Sequence, residues 1–272
     1  MAEIKAADVA KLRKITGAGM MDCKVALEEA NGDFDAAIDF LRKKGQKVAN
    51  KRADRDATEG AVIAKVSADG SFGVLMSLNC ETDFVAKNDD FVKTVHEFAD
   101  LAIANKVKNI DELKNLSYKD HTIGGEVVNL NGVIGEKIDI SVFEVIEAAT
   151  VAAYIHPGNK VATLAGFNKP NVEESLRKDI VMQIAAMAPI AIDKDDVNQD
   201  VIAKEIEIGK EIAIQEGKPA EMAEKIAVGK LNKFFQDNTL NNQAFIKDNK
   251  VTVKQHLAQY DKDLQVVAIR RN

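Results

Sequence analysis

The side chains best suited to ligate a metal or attack a carbonyl are four histidines, His96, His121, His156 and His256, and two cysteines, Cys23 and Cys80. Their spacing supports neither chemistry. No Cys-x-x-Cys pair, His-Glu-x-x-His or Gly-x-Ser-x-Gly occurs, and the histidines are scattered. Glycine followed by lysine, a start for phosphate binding, occurs at Gly209-Lys210, Gly217-Lys218 and Gly229-Lys230. The next residues are Glu211, Pro219 and Leu231, where a phosphate-binding loop needs a Ser or Thr hydroxyl on Mg²⁺. The sequence therefore predicts a chain that is not an enzyme, with no cofactor and no metal site.

Three other strings hold residue types suited to touching a partner. Thr16-Gly17-Ala18-Gly19 is followed directly by Met20 and Met21. Adjacent methionines at a helix start cannot both face one core, so at least one is expected outside, where a soft thioether suits a partner surface; the plain alternative is a tight inter-helix turn. Cys80-Glu81-Thr82-Asp83-Phe84-Val85 places an acid and a large aromatic between a strand and a helix. Phe84 either tucks into the core or stands out as a wedge. Tyr154-Ile155-His156-Pro157-Gly158 puts a histidine in a turn, where it is either solvated or a contact.

The elements that must position these strings follow from periodicity. Val9, Leu12 and Ile15 lie on one helical face; a second helix carries Cys23, Ala26 and Leu27; a third, capped by Asp33, carries Phe34, Ala37, Ile38 and Leu41 and ends near Gly45. Lys47 to Glu59 reads as a charged linker or an exposed helical extension. From Gly60 the period becomes that of strands around the turn Ala68-Asp69-Gly70-Ser71, and a long helix through Phe91, Val95 and Phe98 follows. The plan recurs around His156–Asn159, with a helix opening at Asn171, and Gly70 registers on Gly158 at an offset of 88 residues. Val197–Glu216 and Pro219–Phe235 read as a helical hairpin, with Gly217 closing one helix and Pro219 opening the next. Val201, Ile202, Ile206, Ile208 and Ile212 are expected to face Met222, Ile226, Leu231 and Phe234 across it.

Composition narrows the function classes. Residues 1–55 hold 12 Lys/Arg against 9 Asp/Glu, while the whole chain of 272 residues has a net charge of -6. A small basic head on an acidic body suits a protein partner better than nucleic acid, which is held by neutralising phosphates. With no Trp and only 5% aromatic residues, the core must rest on Ala, Ile, Val and Leu. The first residues carry no apolar leader and no stretch approaches a membrane span, so a cytoplasmic protein without membrane contact is expected. An adaptor that binds some other protein through its head remains an alternative, and so does RNA binding by the Arg42–Arg55 basic run.

Longer strings carry a resemblance. Thr16–Leu27, Ala30–Gly45, Asn79–Phe91, Tyr154–Leu164 and Glu216–Leu231, in this order, strongly resemble the elongation factor Ts family over nearly the whole chain. The resemblance implies an α+β fold with a ubiquitin-associated-like three-helix head (1–55, with its linker), a core N-subdomain (56–140) and a core C-subdomain (141–272). The two core subdomains would be related strand-strand-helix units, the second carrying the coiled-coil hairpin 197–236.

It also implies guanine-nucleotide exchange on elongation factor Tu, both GDP-bound and nucleotide-free, with release of GDP and Mg²⁺ during translation elongation. Arg13, Met20 and Met21 match the family's docking positions, Thr82, Asp83, Phe84 and Val85 its inserting loop, which disturbs the partner's Mg²⁺ site, and Ile134 and His156 further contacts. A homodimer through hairpin 197–236 is known for some members. Others continue into a C-terminal helical module; this sequence ends at Asn272 after Arg270-Arg271, so that contact is expected to be missing.

Overall fold

A computed structural model describes residues 4–272; the first three residues of the expected head lie outside the described residues. The chain is α+β and divides into two compact units. One comprises the chain up to Ile63 with residues 76–144 and 157–160; the other comprises residues 64–75, 145–156 and 161–272.

The first unit begins with three helices, α1 (Ala6–Thr16), α2 (Met20–Glu29) and α3 (Phe34–Lys51). Gly17 closes α1 in the left-handed region at φ 71°, and the Asp33 carboxylate caps α3 by accepting the Ala36 N–H. Val9, Leu12, Cys23, Ala26, Leu27, Ala37 and Leu41 form the small core between them. Two expectations fail here. Ile15 is half exposed, at 50%, and does not join Val9 and Leu12 in that core. Helix α3 does not stop at Gly45: it runs on to Lys51, with Gly45 buried in its middle.

The reason is a close helix crossing. Helix α7 (Ile123–Ile134) passes α3 so tightly that a β-carbon on Gly45 would lie 2.6 Å from the Val128 carbonyl oxygen. Glycine here serves packing and not termination, which local preference cannot distinguish. The chain after α3 is also tied down. The Lys137 ammonium donates to the carbonyls of Ala53 and Arg55 at 2.6 and 2.8 Å.

Strands β1 (Glu59–Val66) and β2 (Phe72–Cys80) lead to a single helical turn, α4 (Asp83–Ala86), and then to α5 (Asp89–Asn105). Asn88 caps α5 by accepting the N–H groups of Asp90 and Phe91. Helix α6 (Ile110–Asn115) and the short strands β3 (Ser117–Tyr118) and β4 (His121–Thr122) precede α7, and β5 (Asp139–Glu147) follows it. The first sheet has the order β1-β2-β5.

In the second unit, β6 (Thr150–Ile155), β7 (Ala162–Phe167) and β10 (Val266–Arg271) form an antiparallel sheet of order β10-β7-β6. Helix α8 (Glu174–Met187) lays Leu176, Ile180 and Ile184 in one core with Ala165 and Phe167. It opens three residues later than expected, because Asn171 sits in the left-handed region at φ 56°. The turn glycines Gly70 and Gly158 both have positive φ, at the offset of 88. The buried helix positions correspond differently: Phe91, Val95, Phe98 and Ala99 match Leu176, Ile180, Gln183 and Ile184, an offset of 85. An offset of 88 instead sends Ala99 to Met187, which is exposed.

Helices α9 (Gln199–Gln215) and α10 (Ala220–Asn238) form the expected hairpin, but with a different seam. Among the described residues of the two helices, Gly209, Ala213, Ala223 and Ala227 are buried, and a β-carbon on Gly209 would meet the Ala227 Cα at 3.1 Å. Small residues four apart draw the helices together and rotate Ile208, Ile212 and Met222 out to solvent. Val201, Ile202, Ile206, Ile226, Leu231 and Phe234 are half-buried. The short strands β8 (Ala244–Phe245) and β9 (Asp248–Thr252) and helix α11 (Val253–Tyr260) complete the chain.

Candidate functional site

Phe84 is 84% exposed at the second position of α4. The turn is seated by Ala86, which is buried, while the ring points away from any core. Beside it, Asp83 Oδ2 accepts a hydrogen bond from the Lys87 ammonium at 2.6 Å. That bond and the lysine's charge hold the Asp83 carboxyl below its usual range. Thr82 is turned inward, its N–H and hydroxyl both donating to Glu136 at 3.0 and 2.7 Å. Val85 is half-buried.

A groove of about 850 Å³ in the first unit runs past this ring. Ile15 and Gly17 of the head line it, together with Ile38 and Arg42 of α3, Phe84 and Val85 of α4, and Ile134 at the end of α7. Of the residues singled out in the sequence, Phe84, Val85 and Ile134 thus share one surface. Ile15 joins them, although its spacing assigned it to the core.

The head presents its own apolar patch. Met20 is 57% and Met21 67% exposed, and Val25 and Arg13 are exposed as well. Both methionines point out because Cys23, Ala26 and Leu27 already fill the inner face of α2. The Thr16 hydroxyl fixes the turn before them by donating to Leu12 O at 2.9 Å and accepting from the Ala18 N–H. His156 belongs to the second unit. It is exposed at the β6–β7 turn, where its Nδ1 lies 3.0 Å from the Tyr154 hydroxyl.

Glu81 and Glu136 carry the tightest polar cluster near the ring, and sequence reading passed over both roles. Glu81 accepts from Arg52 Nη1 at 2.7 Å, Arg55 Nη1 at 3.0 Å and the Lys137 N–H at 2.6 Å. Burial alone would push its carboxyl up, but the Lys137 amide and the two guanidiniums outweigh burial and lower its pKa to about 2. Both cysteines are buried and unbridged. Burial, followed by the nearby Glu136 charge, pushes the Cys80 thiol up to about 11. Among the described residues no cluster of three or more His, Cys, Asp or Glu is placed to hold a metal. The chemistry on offer is that of a contact surface, an exposed aromatic with an apolar rim on a braced turn.

The family model described as Elongation factor TS matches residues 81–271. The chain belongs to the elongation factor Ts family. It is 54% identical to the Elongation factor Ts of Christiangramia forsetii, over all of this chain and 98% of the relative. It is 52% identical to that of Flavobacterium psychrophilum over all of this chain and 98% of the relative. With that of Amoebophilus asiaticus it shares 49% identity over 98% of each chain. A role in translation elongation comes with membership of the family. Among the described residues no helix is long and apolar enough to cross a membrane.

Proposed function

We propose that this chain is a guanine-nucleotide exchange factor for elongation factor Tu, releasing GDP and Mg²⁺ during elongation in the cytoplasm, and that it performs no covalent chemistry itself. The observation that carries the reading is the Phe84 ring, 84% exposed on a turn whose polar groups are otherwise satisfied. An isolated large aromatic held out in water gains its burial only against a partner, and aromatic anchors dominate such contacts.

In this reading the head, residues 1–55 with a ubiquitin-associated-like plan, docks through Arg13, Met20 and Met21. Thr82–Val85 enters the partner's nucleotide domain, with Ile134 and His156 as flanking contacts. The related core subdomains, 56–140 and 141–272, carry these contacts, and no direct contact with nucleic acid is required.

A GTPase holds GDP through phosphate-loop amides and Mg²⁺. A ring driven between helices beside the metal loosens those contacts without touching the base. Because linkage is reciprocal, a factor that binds the nucleotide-free state best must be loosened by nucleotide to the same degree. Hairpin 197–236 fits a homodimer contact, since Ile212, Ile214 and Met222 are solvent-exposed on it. The deciding experiment mixes a catalytic amount of this protein with purified elongation factor Tu carrying fluorescent GDP. Accelerated release is expected; release at the spontaneous rate would refute the reading.

A further inference from the structure

The exposed ring stands on a turn too short to hold itself. Helix α4 has four residues, and helices of that length do not persist without outside support. Its N-cap residue, Thr82, makes no side-chain bond to the turn's own amides. Its hydroxyl goes instead to Glu136 Oε1 at 2.7 Å. The other carboxylate oxygen of Glu136 accepts two consecutive amides, those of Glu81 and Thr82, each at 3.0 Å.

The bracing runs both ways. While Glu136 holds the backbone of Glu81, the Glu81 side chain accepts the amide of Lys137 at 2.6 Å. Glu81 also grips Arg52, which follows the last residue of α3. Glu136 directly follows Gly135, whose left-handed φ of 77° ends α7.

We propose that Glu136 is a positioning residue for Phe84. Its carboxylate locks the entry to α4, so that the ring pushes on the partner and does not swing aside, and Glu81 with Arg52 extends the brace to the end of the head helix. The inference rests on the exchange reading above. It assigns Glu136 to the yield of the wedge and not to docking, because the docking methionines lie on a different helix.

The test compares wild type, Glu136→Ala, Glu136→Gln and Thr82→Val in fluorescent GDP release from elongation factor Tu over a range of factor concentrations. Glu136→Ala is expected to lower the maximal rate at least about 5-fold. The half-saturating concentration should move less than about 2-fold, the mark of an interaction that acts after binding. Glu136→Gln should recover most of the rate. Its amide oxygen can accept the two N–H groups, and its NH₂ can donate to the Thr82 hydroxyl. Thr82→Val should fall between the two.

Amide hydrogen exchange over residues 81–86 of the free protein supplies a readout that needs no partner, and Glu136→Ala should speed it at least about 10-fold. A folded Glu136→Ala with the wild-type maximal rate overturns the proposal, as does unchanged amide protection. If Glu136→Ala does not fold, Thr82→Val decides on the same two readouts. If wild type itself fails to stimulate release, the exchange reading falls, and the amide protection still decides whether Glu136 braces the turn.

Discussion

Gly45 and Gly132 face each other where α3 crosses α7. A β-carbon on Gly132 would stand 2.7 Å from the Gly45 Cα. No other residue type permits that approach without displacing backbone, so this pair sets how closely α3 and α7 pack. The groove beside Phe84 is lined from both helices, by Ile38 and Arg42 on one and by Ile134 on the other.

Substituting either glycine tests this. Gly132→Ala should cost about 1–3 kcal/mol through overpacking, less the small gain in helix propensity. Thermal melting should show a clear drop in Tm. An unchanged Tm would mean that the crossing opens freely.

Phe84→Ala separates wedge from core. A buried Phe truncated to Ala costs about 3–5 kcal/mol. Here the ring is 84% exposed, so the Tm of the free protein should stay nearly unchanged. Stimulated GDP release at saturating factor should fall roughly 5- to 150-fold, as the coupling between factor and nucleotide is lost. A large melting drop with normal exchange would return Phe84 to a structural role.

The methionines should affect affinity instead. Met20 and Met21 are both mostly exposed, so replacing them with Ala removes no core contact. Partner binding should weaken by at most about 1.5–3 kcal/mol per side chain, read by titration calorimetry, with circular dichroism unchanged. Wild-type affinity would remove α2 from the docking surface.

Glu81 gives a pH dependence of definite sign. Its folded pKa is lowered to about 2 from the ordinary 4.5, so the folded state favours the carboxylate. The stabilisation is therefore complete above the unfolded value and disappears as pH falls from there through about 2. Urea unfolding of wild type and Glu81→Gln should differ by about 1–3 kcal/mol at neutral pH. That gap should hold down to about pH 5 and narrow below it. A gap that widens on acidification would contradict the assignment.

Sequence by itself determined the local events. Asp33 caps its helix, Gly17, Gly70 and Gly217 mark turns with positive φ, and the hairpin 197–236 forms where Gly217 and Pro219 punctuate it. These features rest on contacts within a few residues, where side-chain type dictates backbone conformation. The strings around Met20 and Phe84 were legible too, since residue type alone made them worth suspecting.

Only the tertiary structure decided which way these groups face and what holds them. Ile15 kept the period of a core residue yet stands outside, Gly45 carried a stop signal yet packs inside a helix, and the hairpin seam chose Gly209 and Ala227 over the isoleucines. Periodicity names a face but not the partner that covers it, and a close crossing rewards the smallest side chain over the most apolar one. The brace on Phe84 joins residues 55 positions apart in the chain. A carboxylate that receives two amides across that distance leaves no local trace, because the bond exists only once the strands and helices between them have packed.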